Sequence, residues 1–264
     1  MKKHFIAILI IFIAGACEKP INWKLDDPIT PRLVVEGMLT NKPGLNYVKL
    51  SLPVRNPNRA PQPVSNATVV ITDGEDYHFL TEDQNEAGLY LTEPTVQGVI
   101  NRIYWLYISV GEYEFAAAAY MVPVSPFQEF IYYEDPSNPG YYRIFPGESS
   151  TPSYTEYRVE WQEQTSGLQQ ESVFYSFTLS TIDVSQFFKP AAEVLSYPSD
   201  ARVIRTRYSL SPDHEKYLRS LLSETEWRGG WFDVMHGNLH TNLNNGAVGF
   251  FAASSVVRDT VYFN

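Results

Sequence analysis

The chain has one cysteine, Cys17, among its 264 residues, which excludes an internal disulfide and a zinc site built from several thiolates. Basic residues are also few: 20 Lys and Arg stand against 30 Asp and Glu, a net charge of −10 at pH 7. Such an acidic surface argues against nucleic acid as a partner. The chain also lacks a GxSxG elbow, a P-loop and a GxGxxG fingerprint. We therefore expect a binding protein rather than an enzyme, and no cofactor.

Long apolar runs are scarce too, and the run from Phe5 to Ile13 is too short for a stable membrane span, which takes about 20 residues. Two lysines precede it, and the small residues 14–16 lie directly before Cys17. This order is typical of a bacterial lipoprotein signal peptide. We predict that residues 1–16 are removed and that Cys17 carries a diacylglycerol and an N-acyl chain such as palmitate. The alternatives are an ordinary secretory signal and a short membrane anchor.

Residues 17–31 are polar and interrupted by proline, so we interpret them as a tether between lipid and fold. Glu18 and the pair Asp26-Asp27 resemble the acidic signals that carry lipoproteins to the cell surface in some bacteria. A merely solvated spacer is the alternative. Removal of residues 1–16 takes away two lysines and no acidic residue, which leaves the mature chain with a net charge of −12.

The remaining sequence predicts an all-β protein with one short helix. Aromatic residues make up 14% of the chain and occur in short alternating runs that 18 Pro and 15 Gly interrupt, a pattern typical of strands and turns. We predict two sandwich-like units: residues 32–122, with about seven strands and an immunoglobulin or transthyretin-like fold, and a β-rich domain over residues 125–264. The segment Val122-Pro123-Val124 breaks the strand pattern between them.

The first unit contains a well-defined strand over Tyr47–Leu52, with Val48 and Leu50 on one face and Tyr47 and Lys49 on the other. Other strands are predicted at Arg32–Leu39, Tyr77–Leu80, Ile103–Val110 and Glu112–Tyr120.

Three acidic residues follow one of these strands: Asp73, Glu75 and Asp76. They could be calcium ligands, but a hairpin turn at Asp73-Gly74 explains them better, because no further acidic ligand follows at EF-hand spacing. We expect no metal there.

The second unit contains a predicted hairpin of Tyr157–Gln162 and Ser172–Ser180. The helix follows, with Ser211 as its cap and Pro212 at its first position. The chain closes with two predicted strands, Gly246–Ser254 and Val256–Phe263.

Aromatic residues flank a long predicted loop, residues 134–153, which is rich in Pro, Gly and Ser. Exposed aromatic side chains can stack on sugars or anchor in a protein pocket, so they are candidate partner or ligand contacts. The alternative is that half of them pack beneath the loop. The candidates are Tyr132, Tyr133, Tyr141, Tyr142 and Phe145.

A metal site built from histidines is an alternative to a purely binding function. His236 and His240 stand four apart, with Asp233 and His214 in the same region, which would suit zinc if residues 233–240 were helical. Gly237 and Asn238 favour a turn instead. We therefore interpret these as loop histidines and predict no metal site.

Four segments carry a resemblance to a known family: CEKPI, PRLVVEGMLT, PVSNATVVITDG and HTNLNNGAVGFFAASS. Together they resemble a family of uncharacterised outer-membrane lipoproteins of Bacteroidota, defined only as a domain of unknown function. Its members are often encoded beside TonB-dependent receptors, so the resemblance implies a surface accessory protein with a transporter partner. The family supplies no catalytic residues. The N-terminal half also resembles carboxypeptidase-regulatory or transthyretin-like sandwiches, which dock and position other domains.

Two functions from different classes follow. The first is an outer-membrane lipoprotein, exposed at the cell surface, that acts as an accessory binding or docking module of a TonB-dependent transporter. The second is a free-standing surface adhesin or hydrolase. A hydrolase should present a concave site with convergent polar groups, whereas a docking module should present a broad apolar patch.

A modification is predicted near the C-terminus, at Asp259-Thr260-Val261. The resemblance implies a bacterial phylum thought to O-glycosylate exported proteins at Asp followed by Thr or Ser and an aliphatic residue. Strand alternation would place Thr260 beside Arg258 on a solvent-exposed face, where a glycan fits. The alternative is an ordinary edge-strand threonine.

The lipid anchor is tested by Cys17→Ala. This change removes the acylated thiol, so the protein should stay uncleaved or lose its membrane attachment. Fractionation and intact-mass measurement check this, and a normally processed, membrane-bound Cys17→Ala protein would contradict the lipoprotein interpretation.

Overall fold

Most of the regular secondary structure is β-strand, as the computed structural model shows for residues 32–44, 46–54, 58–163, 167–181, 194–227 and 239–263. The prediction of an all-β protein with one short helix is confirmed. The helix of the described residues, α1, spans Pro212–Glu224, and none of their helices is long and apolar enough to cross a membrane. The strands are β1 (Val34–Thr40), β2 (Tyr47–Leu52), β3 (Gln62–Pro63), β4 (Thr68–Thr72), β5 (Tyr77–Glu82), β6 (Leu89–Leu91), β7 (Ile103–Val110), β8 (Tyr113–Tyr120), β9 (Ile131–Glu134), β10 (Tyr141–Phe145), β11 (Ser153–Gln162), β12 (Gln169–Thr178), β13 (Tyr197–Pro198), β14 (Arg202–Ser209), β15 (Val248–Ser254) and β16 (Val256–Tyr262).

The largest sheet has nine strands in the order β15-β1-β2-β6-β5-β4-β7-β8, with β3 paired to β2. Its two ends approach each other, because Leu243 bridges Ala117 of β8 just before the chain enters β15. Asn244 reinforces this closure: its backbone N–H donates to the Ala116 carbonyl at 3.0 Å, and its side-chain oxygen accepts from the Ala116 N–H at 2.7 Å. The sheet therefore curls around one apolar core.

The pattern of buried residues follows strand alternation. In β2, Val48 and Leu50 are fully buried, whereas Tyr47 and Lys49 point outward, as predicted. In β1, Val35 and Leu39 face the same core. The inward face of this sheet supplies the apolar burial, and its outward face is left for polar and aromatic side chains.

Parallel pairing of β15 with β1 completes the sheet. Gly249 lies opposite Val35, and a Cβ on Gly249 would be only 2.0 Å from the Val35 carbonyl oxygen. Its φ of +97° is also one that only glycine adopts readily. Only a glycine lets the two backbones come this close. By sequence β15 belongs to the predicted second unit, yet it pairs with a strand of the first; the boundary at residues 122–125 stays a prediction.

A second sheet has four strands in the order β12-β11-β14-β16, and a third has three in the order β13-β10-β9. The two pack around an aromatic cluster in which the rings of Tyr157 and Phe174 stack at 4.8 Å. Because Tyr157 pairs with Phe174 across the strands, Phe174 faces the core and its neighbours Val173 and Tyr175 face outward.

One residue, Ser255, connects the first two sheets between β15 and β16. Its N–H donates to Ser209 Oγ at 2.9 Å, and its hydroxyl donates to the Val122 carbonyl at 2.7 Å. Next to it, Ser254 Oγ donates to the Ser209 carbonyl at 2.9 Å, and Asn41 Oδ1 accepts from the Val256 N–H at 2.7 Å. Ser209, Ser254 and Ser255 are fully buried. We call these hydrogen-bonded residues the serine joint; they are Asn41, Val122, Ser209, Ser254, Ser255 and Val256.

The predicted helix cap is confirmed at α1. Ser211 Oγ accepts from the His214 N–H at 3.3 Å, and Pro212 opens the helix. The predicted loop over residues 134–153 is wrong in part, because it contains β10, which pairs with β9 in a hairpin. Neighbouring prolines and glycines hide this strand in the sequence.

Closure of the large sheet is tested by Gly249→Ala. The new methyl group would collide with the β1 backbone at an unfavourable φ, so the free energy of unfolding should fall by more than about 3 kcal/mol. Urea denaturation measures it. Gly246→Ala is the matched control: its φ is +76° but nothing lies within 4 Å of the new Cβ, so about 1 kcal/mol is expected. Equal losses in the two variants would contradict this account.

Candidate functional site

A cleft of about 480 Å³ lies between the outer faces of the nine-stranded and four-stranded sheets. Both walls are built from outward-facing positions of regular strands, so the backbone fixes their spacing. The first wall contains Glu36, Met38, Tyr47, Lys49, Leu89 and Leu91. The second contains Tyr154, Glu156, Tyr175 and Tyr208.

The second wall is organised by cross-strand pairs. Tyr154 of β11 lies directly opposite Tyr208 of β14, and their rings stack at 4.7 Å with 8° between the planes. Glu156 lies opposite Tyr175 of β12, whose hydroxyl donates to Glu156 Oε2 at 3.4 Å. Paired aromatic rings on a sheet face are stabilised by their neighbours, so this wall is preorganised.

The first wall repeats the pairing of a tyrosine with a carboxylate. The Tyr47 hydroxyl donates to Glu36 Oε1 at 2.9 Å. Lys49 contacts Glu86 at the rim, 2.6 Å from Nζ to Oε1. Each wall therefore holds a phenol whose hydroxyl is oriented by a carboxylate.

The electrostatic environment of the cleft is negative. Burial, and next the charge of Glu36, raise the pKa of Tyr47 above its ordinary value. Burial and the charge of Glu156 also raise the pKa values of Tyr175 and Tyr208. These phenols therefore stay neutral at physiological pH. Aromatic rings beside carboxylates can bind a ligand through ring faces and through donors to the carboxylate oxygens.

The predicted aromatic candidates lie elsewhere, on the β9–β10 hairpin. Tyr132 and Tyr142 pack on Phe263 with ring centroids 5.2 and 5.3 Å away. Tyr133, Tyr141 and Phe145 point outward and are 48%, 38% and 57% exposed. The hairpin alternation separates the five into two structural residues and three that are available to a partner.

Of the histidines considered as zinc ligands, His214 and His240 lie within the described residues. His214 is buried, its ring stacks on Phe250 at 5.2 Å, and Tyr154 of the cleft wall contacts its edge at 6.2 Å. Burial lowers the pKa of His214 to about 4. His240 Nε2 lies 3.7 Å from Asp213. Asp233 and His236 fall outside the described residues, within which no three His, Cys, Asp or Glu side chains form a metal-binding group.

The acidic turn uses its first carboxylate for backbone capping. Asp73 Oδ1 accepts the N–H groups of Glu75 and Asp76 at 3.1 and 3.0 Å, and Arg102 lies 2.5 Å from Oδ2. The Asp76 hydrogen bond, followed by those from Glu75 and Arg102, lowers the pKa of Asp73 to about 2. The predicted hairpin turn explains this carboxylate.

Of the two predicted modification sites, Thr260 lies within the described residues and Cys17 does not. Thr260 is exposed on β16, at the edge of its sheet, as is Arg258. Its glycosylation stays a prediction. Cys17 lies outside the described residues, and its acylation also stays a prediction.

The sequence did not predict the cleft or its lining residues. Alternation in β2 marks Tyr47 as outward-facing, and the same argument could have found Tyr154 and Tyr208. What the sequence does not show is that two sheets place these faces opposite each other.

Comparison with known proteins gives one family. The family described as "Domain of unknown function (DUF4249)" matches residues 18–260. No curated protein matches the chain.

The burial of His214 predicts a pH dependence of stability. Its pKa is about 4 in the folded state, against about 6.5 in an unfolded chain. Above pH 6.5 both states are neutral and His214 has no effect. As the pH falls from 6.5 to 4, only the unfolded state takes up the proton, so stability is lost, on the order of 3 kcal/mol.

We expect His214→Phe to flatten this dependence, as measured by urea denaturation between pH 7 and 4. His78→Gln on β5 is the control and should keep the wild-type slope. A His214→Phe protein with an unchanged slope would show that other groups cause the acid sensitivity.

Proposed function

The chain belongs to the DUF4249 family, and we propose that it is a lipid-anchored outer-membrane protein that serves a TonB-dependent transporter as an accessory binding or docking module. In this proposal Cys17 carries the lipid, residues 17–31 span the distance from membrane to fold, and the module lies at the cell surface. The transporter is the protein partner.

The cleft is the observation that carries the binding role. It is concave, and its walls join aromatic rings, aliphatic side chains and a few oriented carboxylates, which is the usual composition of a ligand site. Strands from both sheets supply the lining. Such rigid positions suit the capture of a ligand.

The β9–β10 hairpin supports a docking surface. Ile131, Tyr133 and Phe145 are each about half exposed on its outer face, on the same strands whose inner face packs on Phe263. Exposed aromatic and aliphatic side chains on a rigid element are typical of protein contact sites. We assign this face, Ile131, Tyr133, Tyr141 and Phe145, to the transporter contact and call it the hairpin patch.

The docking role is tested by co-purification of the affinity-tagged protein from envelopes of the native host in mild detergent. A TonB-dependent receptor should co-purify with the wild-type protein. Replacing Tyr133 and Phe145 by Ser should lower the recovered receptor by about tenfold or more, because central aromatic contacts each contribute about 2 kcal/mol or more.

The control replaces Tyr77 and Phe79 by Ser on β5. These residues are 63% and 65% exposed, so the same chemical change is made on another surface of the chain. The control should retain the receptor at the wild-type level. Absence of any TonB-dependent receptor in the wild-type preparation would contradict the proposal and favour a free-standing adhesin or hydrolase.

A further inference from the structure

The lining of the cleft carries an excess of negative charge. Glu36, Glu86 and Glu156 contribute three carboxylates, and Lys49 contributes one ammonium group, which Glu86 already holds at 2.6 Å. Lys49 lies directly opposite Glu36 across β1 and β2, but its ammonium contacts Glu86; within the described part of the chain, no Lys or Arg forms an ion pair with Glu36. Arg158 Nη2 contacts Glu156 Oε1 at 3.3 Å, but the same guanidinium also contacts Glu171 at 2.8 Å. Arg158 therefore neutralises Glu156 only in part. Charge complementarity therefore favours a cation.

The aromatic rings of the cleft favour the same charge. A cation over a tyrosine face is attracted by the ring quadrupole, by about 0.5 to 2 kcal/mol. The hydroxyls of Tyr47 and Tyr175 donate hydrogen bonds to Glu36 and Glu156, which increases the electron density of both rings. Tyr154 and Tyr208 add a stacked pair beside Glu156. Rings and carboxylates occur on both walls.

Aliphatic side chains complete the lining. Met38 and Leu89 are half-buried, and Leu91 is 37% exposed. They offer a surface for the stem of a long side chain whose charged end lies among the tyrosines. An anion is disfavoured by the carboxylates of Glu36, Glu86 and Glu156, which repel negative charge.

We propose that the cleft binds a cationic nitrogen group, an ammonium or guanidinium, carried on an aliphatic stem. This names the ligand class of the cleft and rests on the proposed binding function. The cation would lie against the tyrosine rings between Glu36 and Glu156, and its stem against Met38. The chemistry is shared by a free aliphatic amine and by a lysine or arginine side chain of a peptide.

Methionine methyl groups provide a built-in reporter for the full chain in detergent. Met38 lines the cleft, whereas Met121 is fully buried in the core of the large sheet. In protein labelled with ¹³C at the methionine methyls, N-acetyl-arginine amide should shift the Met38 signal saturably and leave Met121 unchanged. N-acetyl-citrulline amide has nearly the same shape without the charge, and should bind at least about tenfold more weakly.

Two further probes resolve the source of the cation. Tighter binding of n-butylammonium than of the peptide acetyl-Ala-Arg-Ala-amide would assign a free amine, and the reverse would assign a peptide; either supports the proposal. Maltose tests a neutral sugar. Any one of three results would overturn the proposal. These are saturable binding of maltose but of none of the cations, equal binding of the arginine and citrulline amides, and no Met38 shift with any cation.

Substitutions of the cleft carboxylates test which residues contribute to the binding affinity for the cation. Glu36→Gln and Glu156→Gln should each weaken binding of the arginine amide about tenfold, because each removes one charge from the cleft. Glu75→Gln is the control: it also removes one carboxylate, but from an exposed turn residue that lies outside the lining and does not contact Arg158. Weakening by all three variants alike would indicate long-range charge rather than the cleft and would overturn the assignment.

This experiment and the co-purification fail independently. Loss of cation binding with receptor co-purification intact would leave docking through the hairpin patch in place and refute the ligand class alone. Cation binding without a receptor would keep the ligand class and refute the transporter partnership.

Discussion

The pairing of β15 with β1 is the contact on which the rest of the structure depends. It completes the nine-stranded sheet and brings the chain, one residue later, into the four-stranded sheet through β16. Gly249 allows the close approach, because any side chain there would meet the Val35 carbonyl. The serine joint then holds the crossing with buried hydrogen bonds. Buried polar groups tolerate few other arrangements, so the joint sets one relative position for the two sheets.

The cleft is a consequence of that position. Its first wall is the outer face of β1, β2 and β6, and β1 is the strand that pairs with β15. Its second wall includes Tyr208, one residue before Ser209 of the serine joint. Ser209 of the joint is therefore adjacent in sequence to a residue that lines the site. Distortion of the joint should change the distance between Glu36 and Glu156 more than it changes either sheet.

Local features of the fold could be predicted from the sequence, because short-range physics determines them. Alternation gave the bounds of β2 and β7, and cap chemistry at Ser211 gave the start of α1. The exposure of Tyr133 and the burial of Tyr132 also follow from alternation, once β10 is known to pair with β9. That strand could not be recognised, since turn-forming residues surround it.

Long-range features could not be predicted. The partner of β15 lies more than 200 residues away in the chain, and nothing in the composition of either strand names the other. The cleft depends on this pairing, so Tyr47 and Tyr154 read as ordinary surface tyrosines until the fold is known. The functional proposals follow the same division: the predicted anchor at Cys17 rests on a local pattern, whereas the proposed binding site depends on tertiary structure.

In the proposed complex, the serine joint holds the two tyrosine–carboxylate walls on either side of a bound cation. The decisive experiment is a crystal structure of the full chain with N-acetyl-arginine amide. We predict guanidinium density between the walls, in contact with Glu36 or Glu156 and within about 6 Å of a tyrosine ring centroid. A cleft that holds only solvent at a saturating concentration of the amide, or a guanidinium bound on another surface, would contradict it.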